Sequence, residues 1–314
     1  MDIKELIELN KLHKKSLLYS KCALFAFLGI IGTIFYVAFT EAKPALFFLV
    51  FFVFLLFFSL VRYFKYFTES KKILFAYVGA QFPDWKKGPT DRVNNESIKE
   101  ILLSFVLPEY RYENRLSWND EYSFDTETLK KSITQMTYEE IKTREYRDSK
   151  NRRREETYIS QTFRSGVIFV ETQKNINGIT CFKTNNYPDN IPKKIREEKP
   201  YSDLPKVESP NAEEYHIDIY SNNQETAKAL AVNELFAVMQ KLKEYFGLYY
   251  VKVVFAHNYI IFILRHDKVY SLGTFFANIP FRGSIRVDFV ENITDNFKIL
   301  TDLANKAADF TKNL

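Results

Sequence analysis

The chain has 314 residues, 46% hydrophobic and 17% aromatic, with a formal net charge of +5 and two cysteines. Such a length holds one large or two ordinary domains. The charge suits an anionic membrane surface but is too weak alone to argue for nucleic acid, and Cys22 and Cys181 are too far apart in sequence for a disulfide framework or thiolate cage, so a reducing compartment is expected.

Residues 2–17, with Ile3, Leu6 and Ile7 among Lys-rich positions, read as an amphipathic helix leading into a membrane. Two runs without a charge follow, Cys22–Phe39 with 18 residues and Ala45–Val61 with 17. At the helical rise they span roughly 27 and 25 Å, close to the thickness of a hydrocarbon core. Seven of the 30 phenylalanines fall within residues 47–58. Tyr19, Tyr36, Tyr63 and Tyr66 flank the runs, where amphipathic rings favour the headgroup layer. A buried soluble hairpin is the competing reading, but a globular helix normally keeps a polar stripe.

The pattern therefore predicts two spans, about 20–39 and 45–63, joined by a turn at Thr40–Pro44. Pro44 suits the start of the second helix, where its missing N–H costs little. Residues 1–21 carry five lysines and residues 62–87 six basic residues, against Lys43 alone in the turn. This positive-inside bias predicts that both termini lie in the cytoplasm. Cys22, Ala26, Gly29 and Thr33 form one small-residue stripe on the first span, a groove for a phenylalanine-rich neighbour. Arg62 and Lys65, at the end of the second span, are candidates for membrane-interface or anion contact.

Beyond the anchor (residues 1–67), a cytoplasmic mixed α+β domain is expected. Residues 68–184 begin with a continuation of the second helix to 82. A helix over 95–107 stopped by Pro108 and a short helix near 125–134 come next. Residues 137–171 alternate polar with aromatic or β-branched types and break at Asp148–Asn151, a β-hairpin pattern, and a strand follows at 178–184. The connector 185–213 holds five of the ten prolines. The C-terminal region, 214–314, reads as a strand at 215–220, then a helix capped by Ser221-Asn222-Asn223 and ended at Phe246 before Gly247. Strands at 249–256 and 259–265 joined at His257-Asn258, a β-rich patch to Val290 and a terminal helix near 293–311 complete it. With no repeated βαβ crossover, the class is α+β with an N-terminal transmembrane helical hairpin.

At "TFRSGVIFVETQKNINGIT" (162–180) the chain resembles an uncharacterised bacterial membrane family catalogued as domain of unknown function 3137. Its signature falls on Gly166, Lys174, Gly178 and Thr180, and the likeness continues in "YSNNQETAKAL" (220–230) and "VKVVFAHNYIIFI" (251–263). Asn175-Ile176-Asn177 departs from it where an aromatic is common. The resemblance implies two N-terminal spans with a cytoplasmic remainder; the family has no settled activity to carry over.

Chemistry is sparse. The nine glycines form no phosphate loop, and no HExxH, CxxC or nucleophile-elbow pattern occurs. His216 and Asp218, two apart on an expected strand, are the weak catalytic candidates, since a carboxylate beside an imidazole can orient a base. Arg152, Arg153 and Arg154 form the sharpest charge cluster, set for a solvated hairpin tip, for lipid headgroups or, as the least favoured reading, for the phosphates of a nucleic acid or nucleotide. No metal or cofactor is expected, and nucleic acid is not an expected partner. The expected function is a non-catalytic inner-membrane protein whose cytoplasmic domain binds a protein partner, a further copy of itself, or both. The alternatives are a ligand-gated effector recognising a phosphorylated small molecule and a membrane-tethered enzyme.

Overall fold

Two apolar helices open the fold: α1, Ile3–Thr40, and α2, Ala45–Ala80. A computed structural model of the chain describes residues 3–40, 45–87, 115–118, 124–126, 130–147, 152–187, 204–266, 285–312 and 314. The helix expected over 95–107, residues 41–44 of the expected turn and most of the connector lie outside the described residues. The chain divides into two compact units, Met1–Pro83 with Ala277–Asn296 and Asp84–Phe276 with Phe297–Leu314.

In the first unit the leader is not a separate helix. No proline precedes Pro44, so the amphipathic residues and the first apolar run form one 38-residue rod, about 57 Å long. The 36 residues of α2 give about 54 Å. Their character changes along the pair. Leu9, His13, Ser16, Ser70, Leu74, Phe75 and Val78 are buried, as in a soluble helical hairpin. From Leu24 to Tyr36 and from Phe47 to Phe64 large apolar side chains point outward instead, with Phe47 75% and Phe54 69% exposed. Both helices are long and apolar enough to cross a membrane. Asn10 ties α1 to the segment before the last helix: its Nδ2 donates to the Ile285 carbonyl (2.8 Å) and its Oδ1 accepts from the Ile285 N–H (2.7 Å).

The second unit is built on an eight-stranded antiparallel sheet. Its strands are β1 (Trp85–Lys87), β2 (Arg115–Trp118), β3 (Phe124–Thr126), β4 (Lys131–Arg147), β5 (Arg153–Thr184), β6 (Lys206–Val207), β7 (Ile217–Ser221) and β8 (Tyr250–His266). The 32-residue β5 is the hub. Along one edge it pairs first with β4 and then with β7, while β8 runs along the other. Ser165–Val170 and Ile260–Arg265 are buried without a break, which explains why "GVIFV" and "IIFIL" are continuous apolar runs rather than alternating ones. Helices α3 (Pro210–Glu214), α4 (Gln224–Leu230), α5 (Asn233–Phe246) and α6 (Val287–Lys306) follow, and a 3-10 turn, Ala307–Thr311, ends the chain's helical part. Phe236 of α5 packs on Phe182 of β5 (centroids 5.9 Å), which meets Phe255 of β8 edge-on (5.7 Å).

Several expected elements change. The short helix near 125–134 is instead β3 and the start of β4, because Ile133 and Thr134 lie opposite Ile168 and Val167 in the sheet. The hairpin expected at 137–171 and the strand at 178–184 share one long strand, β5. The two strands at 249–256 and 259–265 are one strand, and His257, at φ 55, is an irregularity within β8 rather than a turn. It pairs with Ile176 between two register shifts, so β5 carries extra, bulged residues there. The single helix expected to Phe246 is two, broken at Ala231-Val232. The connector contains β6 and α3, and the terminal helix starts earlier, at Val287, within the stretch expected to be β-rich.

Candidate functional site

Two of the signature residues, Gly178 and Thr180, meet in a hydrogen-bonded node between β5, β7 and the start of α4. Gly178 has φ +82, and a Cβ there would stand 2.5 Å from Asn222 Oδ1 and 2.9 Å from Asn223 Cβ. Only glycine therefore suits the position, by both backbone and space. The freed volume lets Asn222 Oδ1 accept from the Ile179 N–H at 2.7 Å. The Thr180 and Ser221 hydroxyls are 2.9 Å apart and buried, and Ser221 Oγ also donates toward the Ile179 and Asn223 carbonyls. Asn223 Oδ1 accepts from the Glu225 and Thr226 N–H groups, an N-cap for α4. The Asn222 and Asn223 Oδ1 atoms and the Thr180 and Ser221 hydroxyls of this node are thus engaged within the fold.

Lys174 behaves likewise. It sits in the β5 bulge, and its Nζ donates to the carbonyls of Thr311 (2.8 Å), Lys312 (3.1 Å) and Leu314 (2.9 Å). A cation over terminal helical carbonyls complements their partial negative charge. Gly166, buried on β5, pairs with Gln135 of β4 and Leu264 of β8. The four signature residues thus hold the sheet, α4 and the C-terminal turn together.

The structure does not join the catalytic candidates. His216 precedes β7 with φ 53, out of the strand's alternation, and is exposed. Asp218 forms an ion pair with Lys206 at 2.8 Å, which holds the Lys206 ammonium above its ordinary range. Among the described residues no group of three His, Cys, Asp or Glu is placed to hold a metal ion, and both cysteines are free thiols.

Arg152, Arg153 and Arg154 lie at the far end of the β4–β5 ribbon, all exposed. Arg144 on the same ribbon bonds Glu156 through Nε (2.9 Å) and Nη2 (2.7 Å) and lies over the Tyr158 ring. The small-residue stripe packs inside the hairpin. Ala26 and Thr33 are buried, Cys22 is half-buried, and the Phe52 ring occupies the space above Gly29, 2.5 Å from where a Cβ would be. Near the ends of the apolar belt Arg62 lies over Phe58 (5.4 Å) and Lys15 over Tyr66 (5.1 Å), Tyr19 stacks on Tyr66, and Lys65 is exposed.

Three features carry no sequence signal of their own. Lys183 and Lys252, 2% and 1% exposed, are direct cross-strand neighbours and share the Tyr250 ring at 4.8 and 4.9 Å. Lys243 of α5 reaches the Asn186 carbonyl and its Oδ1, and burial lowers its pKa. Between α5 and α6 lies a groove of about 670 Å³. Val238, Leu242, Ile299, Leu303 and Phe310 give its apolar floor, Tyr245 is 54% exposed, and Glu234, Lys241, Asp302 and Lys306 line it as well. Apolar centre and charged surround are the pattern of a surface that receives an apolar segment.

The chain is a mixed helix-and-sheet protein with two long apolar N-terminal helices and a downstream sheet-containing domain. No family model matches it, and no curated protein does. Among solved structures, the crystal structure of the mycobacterial trehalose monomycolate transport factor A, TtfA, aligns with a TM-score of 0.29 and 9% identity, covering 63% of this chain and 88% of that one. A likeness at that level carries no argument about fold or function.

Proposed function

We propose that the protein is anchored in the bacterial inner membrane by the α1–α2 hairpin and serves as a non-catalytic assembly component whose cytoplasmic domain docks a protein partner. The outward apolar belt supports the anchor. So many exposed phenylalanines and leucines on adjoining helices form a patch far beyond what a soluble monomer leaves in water. The basic flanks keep both termini cytoplasmic, with lipid headgroups around Arg62 and Lys65. The two-span layout agrees with the resemblance to the domain of unknown function 3137 family.

The observation that carries the docking role is the groove between α5 and α6. It is a concave surface with an apolar floor, whereas the signature residues and Asp218 are engaged in holding the fold. Val238 and Tyr245 are the proposed contacts. The test is photo-crosslinking in cells from a photoreactive residue placed at Val238, Tyr245 or Leu303, with exposed Glu208 as the control position. One discrete adduct shared by the groove positions and missing at Glu208 is expected. Adducts absent from all three groove positions contradict the reading.

A further inference from the structure

Beyond the sheet the β4–β5 ribbon continues alone. Among the described residues β2 pairs with β4 only over Met136–Glu139 and β8 with β5 only from Arg164 onward. Residues 140–147 and 153–161 therefore pair, among the described residues, just with each other, as an arm about 25 Å long. All of 143–147 and 152–158 are exposed. An isolated two-stranded ribbon is marginal in water, and its open edges and bare faces invite a partner.

The register identifies that partner. Opposite residues share a face, so one face of the arm reads, from base to tip, Thr143/Thr157, Glu145/Glu155, Arg147/Arg153. Each row sets like charge beside like charge within the copy, which disfavours the arm by itself. The Glu row and the Arg row are two residues apart, about 7 Å. Turn a second copy by a two-fold axis passing between those rows, and each Glu row meets an Arg row. The match is isologous, the same surface serving both copies, and the face has no net charge to oppose association. The other face lacks this order: Arg144 and Glu156 already bond each other there, beside Tyr146 and Tyr158.

We infer that the β4–β5 arm is a homodimerisation element, joining two copies of this chain through antiparallel, face-to-face contact of Glu145/Glu155 with Arg147/Arg153. This inference is independent of the groove and of its partner.

Charge exchange tests it on the full-length protein in detergent. Arg147→Glu/Arg153→Glu makes the face wholly acidic, and Glu145→Arg/Glu155→Arg makes it wholly basic. The expected results are dimers for the unaltered chain, at least about tenfold weaker self-association for each variant alone, and recovery when the two differently tagged variants are mixed. Dimerisation weakens on going from low to high salt. A monomeric unaltered chain overturns the inference. So does a dimer indifferent to both exchanges, or a failure of the mixed variants to recover. If the unaltered chain is monomeric and the acidic variant loses sedimentation with anionic vesicles, the face is a lipid contact and the inference is wrong.

Discussion

Replacing Gly178 by alanine tests whether the signature motif is structural. The substitution puts a Cβ at φ +82, which costs an L-residue about 1–2 kcal/mol. That Cβ would lie 2.5 Å from Asn222 Oδ1, so the amide must swing away and release the Ile179 N–H it now accepts at 2.7 Å. Losing that bond adds about 1–3 kcal/mol. The total is about 3 kcal/mol, and for a domain of this size each kcal/mol moves Tm by about 2–4 °C, so a fall of roughly 6–12 °C is expected in thermal unfolding of the detergent-solubilised protein. A double-mutant cycle separates the two causes. Asn222→Ala alone loses the one bond, about 1 kcal/mol, while Gly178→Ala/Asn222→Ala costs less than the sum of the singles, because the second alanine removes the atom struck by the first. If Gly178→Ala leaves Tm within a degree, or the two changes add fully, the node is not held as described.

Further outcomes follow from other contacts. Lys174→Met removes a cation from three carbonyls and lowers stability by about 2 kcal/mol, with faster amide exchange confined to residues 307–314. Gly29→Val drives a side chain into the Phe52 ring, so disulfide trapping between cysteines placed on α1 and α2 falls; adding Phe52→Ala restores it. Lys243 has a depressed pKa through burial, so its charged form opposes folding. Stability is then greatest above the ordinary lysine range and is lost as pH falls through the lowered value; Lys243→Met flattens that alkaline slope in chemical-denaturation curves. Phe54→Arg sets a charge in the outward belt and costs insertion about 2.5–3.5 kcal/mol, read as protein released by alkaline extraction of membranes.

The parts legible in the sequence are those governed by local pattern. The charge-free runs at 22–39 and 45–61 announce two long apolar helices, alternation over 137–171 gives a hairpin, and Asn223 and Gly247 mark the helix limits they were expected to mark. Where contacts distant in sequence decide, local reading fails. The stretch 125–134 has a helical look, with Asp125 as a plausible cap, but pairing with Val167 and Ile168 makes Ile133 and Thr134 strand. His257-Asn258 resembles a turn because turns and bulges favour the same residue types; its partner in the β5 bulge, Ile176, is 81 residues upstream in sequence. Lys174 could be picked out as a signature residue, yet its acceptors, 137 to 140 positions away, could not. His216 and Asp218 shared a face only if the strand began at 215, and one left-handed residue cancels that alternation. The groove between α5 and α6 needed both helices placed before its lining could be named.

The central claim is a two-span anchor with its folded domain on the cytoplasmic side, and cysteine accessibility tests it most directly. In a Cys22→Ser/Cys181→Ser background, a single cysteine is placed either at Ala42, between α1 and α2 in sequence, or at Glu208, exposed on the sheet-containing domain. Intact cells with a permeabilised outer membrane are then treated with a membrane-impermeant maleimide. The account predicts labelling at Ala42→Cys in intact cells and at Glu208→Cys only after the inner membrane is broken. Labelling of Glu208→Cys in intact cells, or of neither position until lysis, contradicts it.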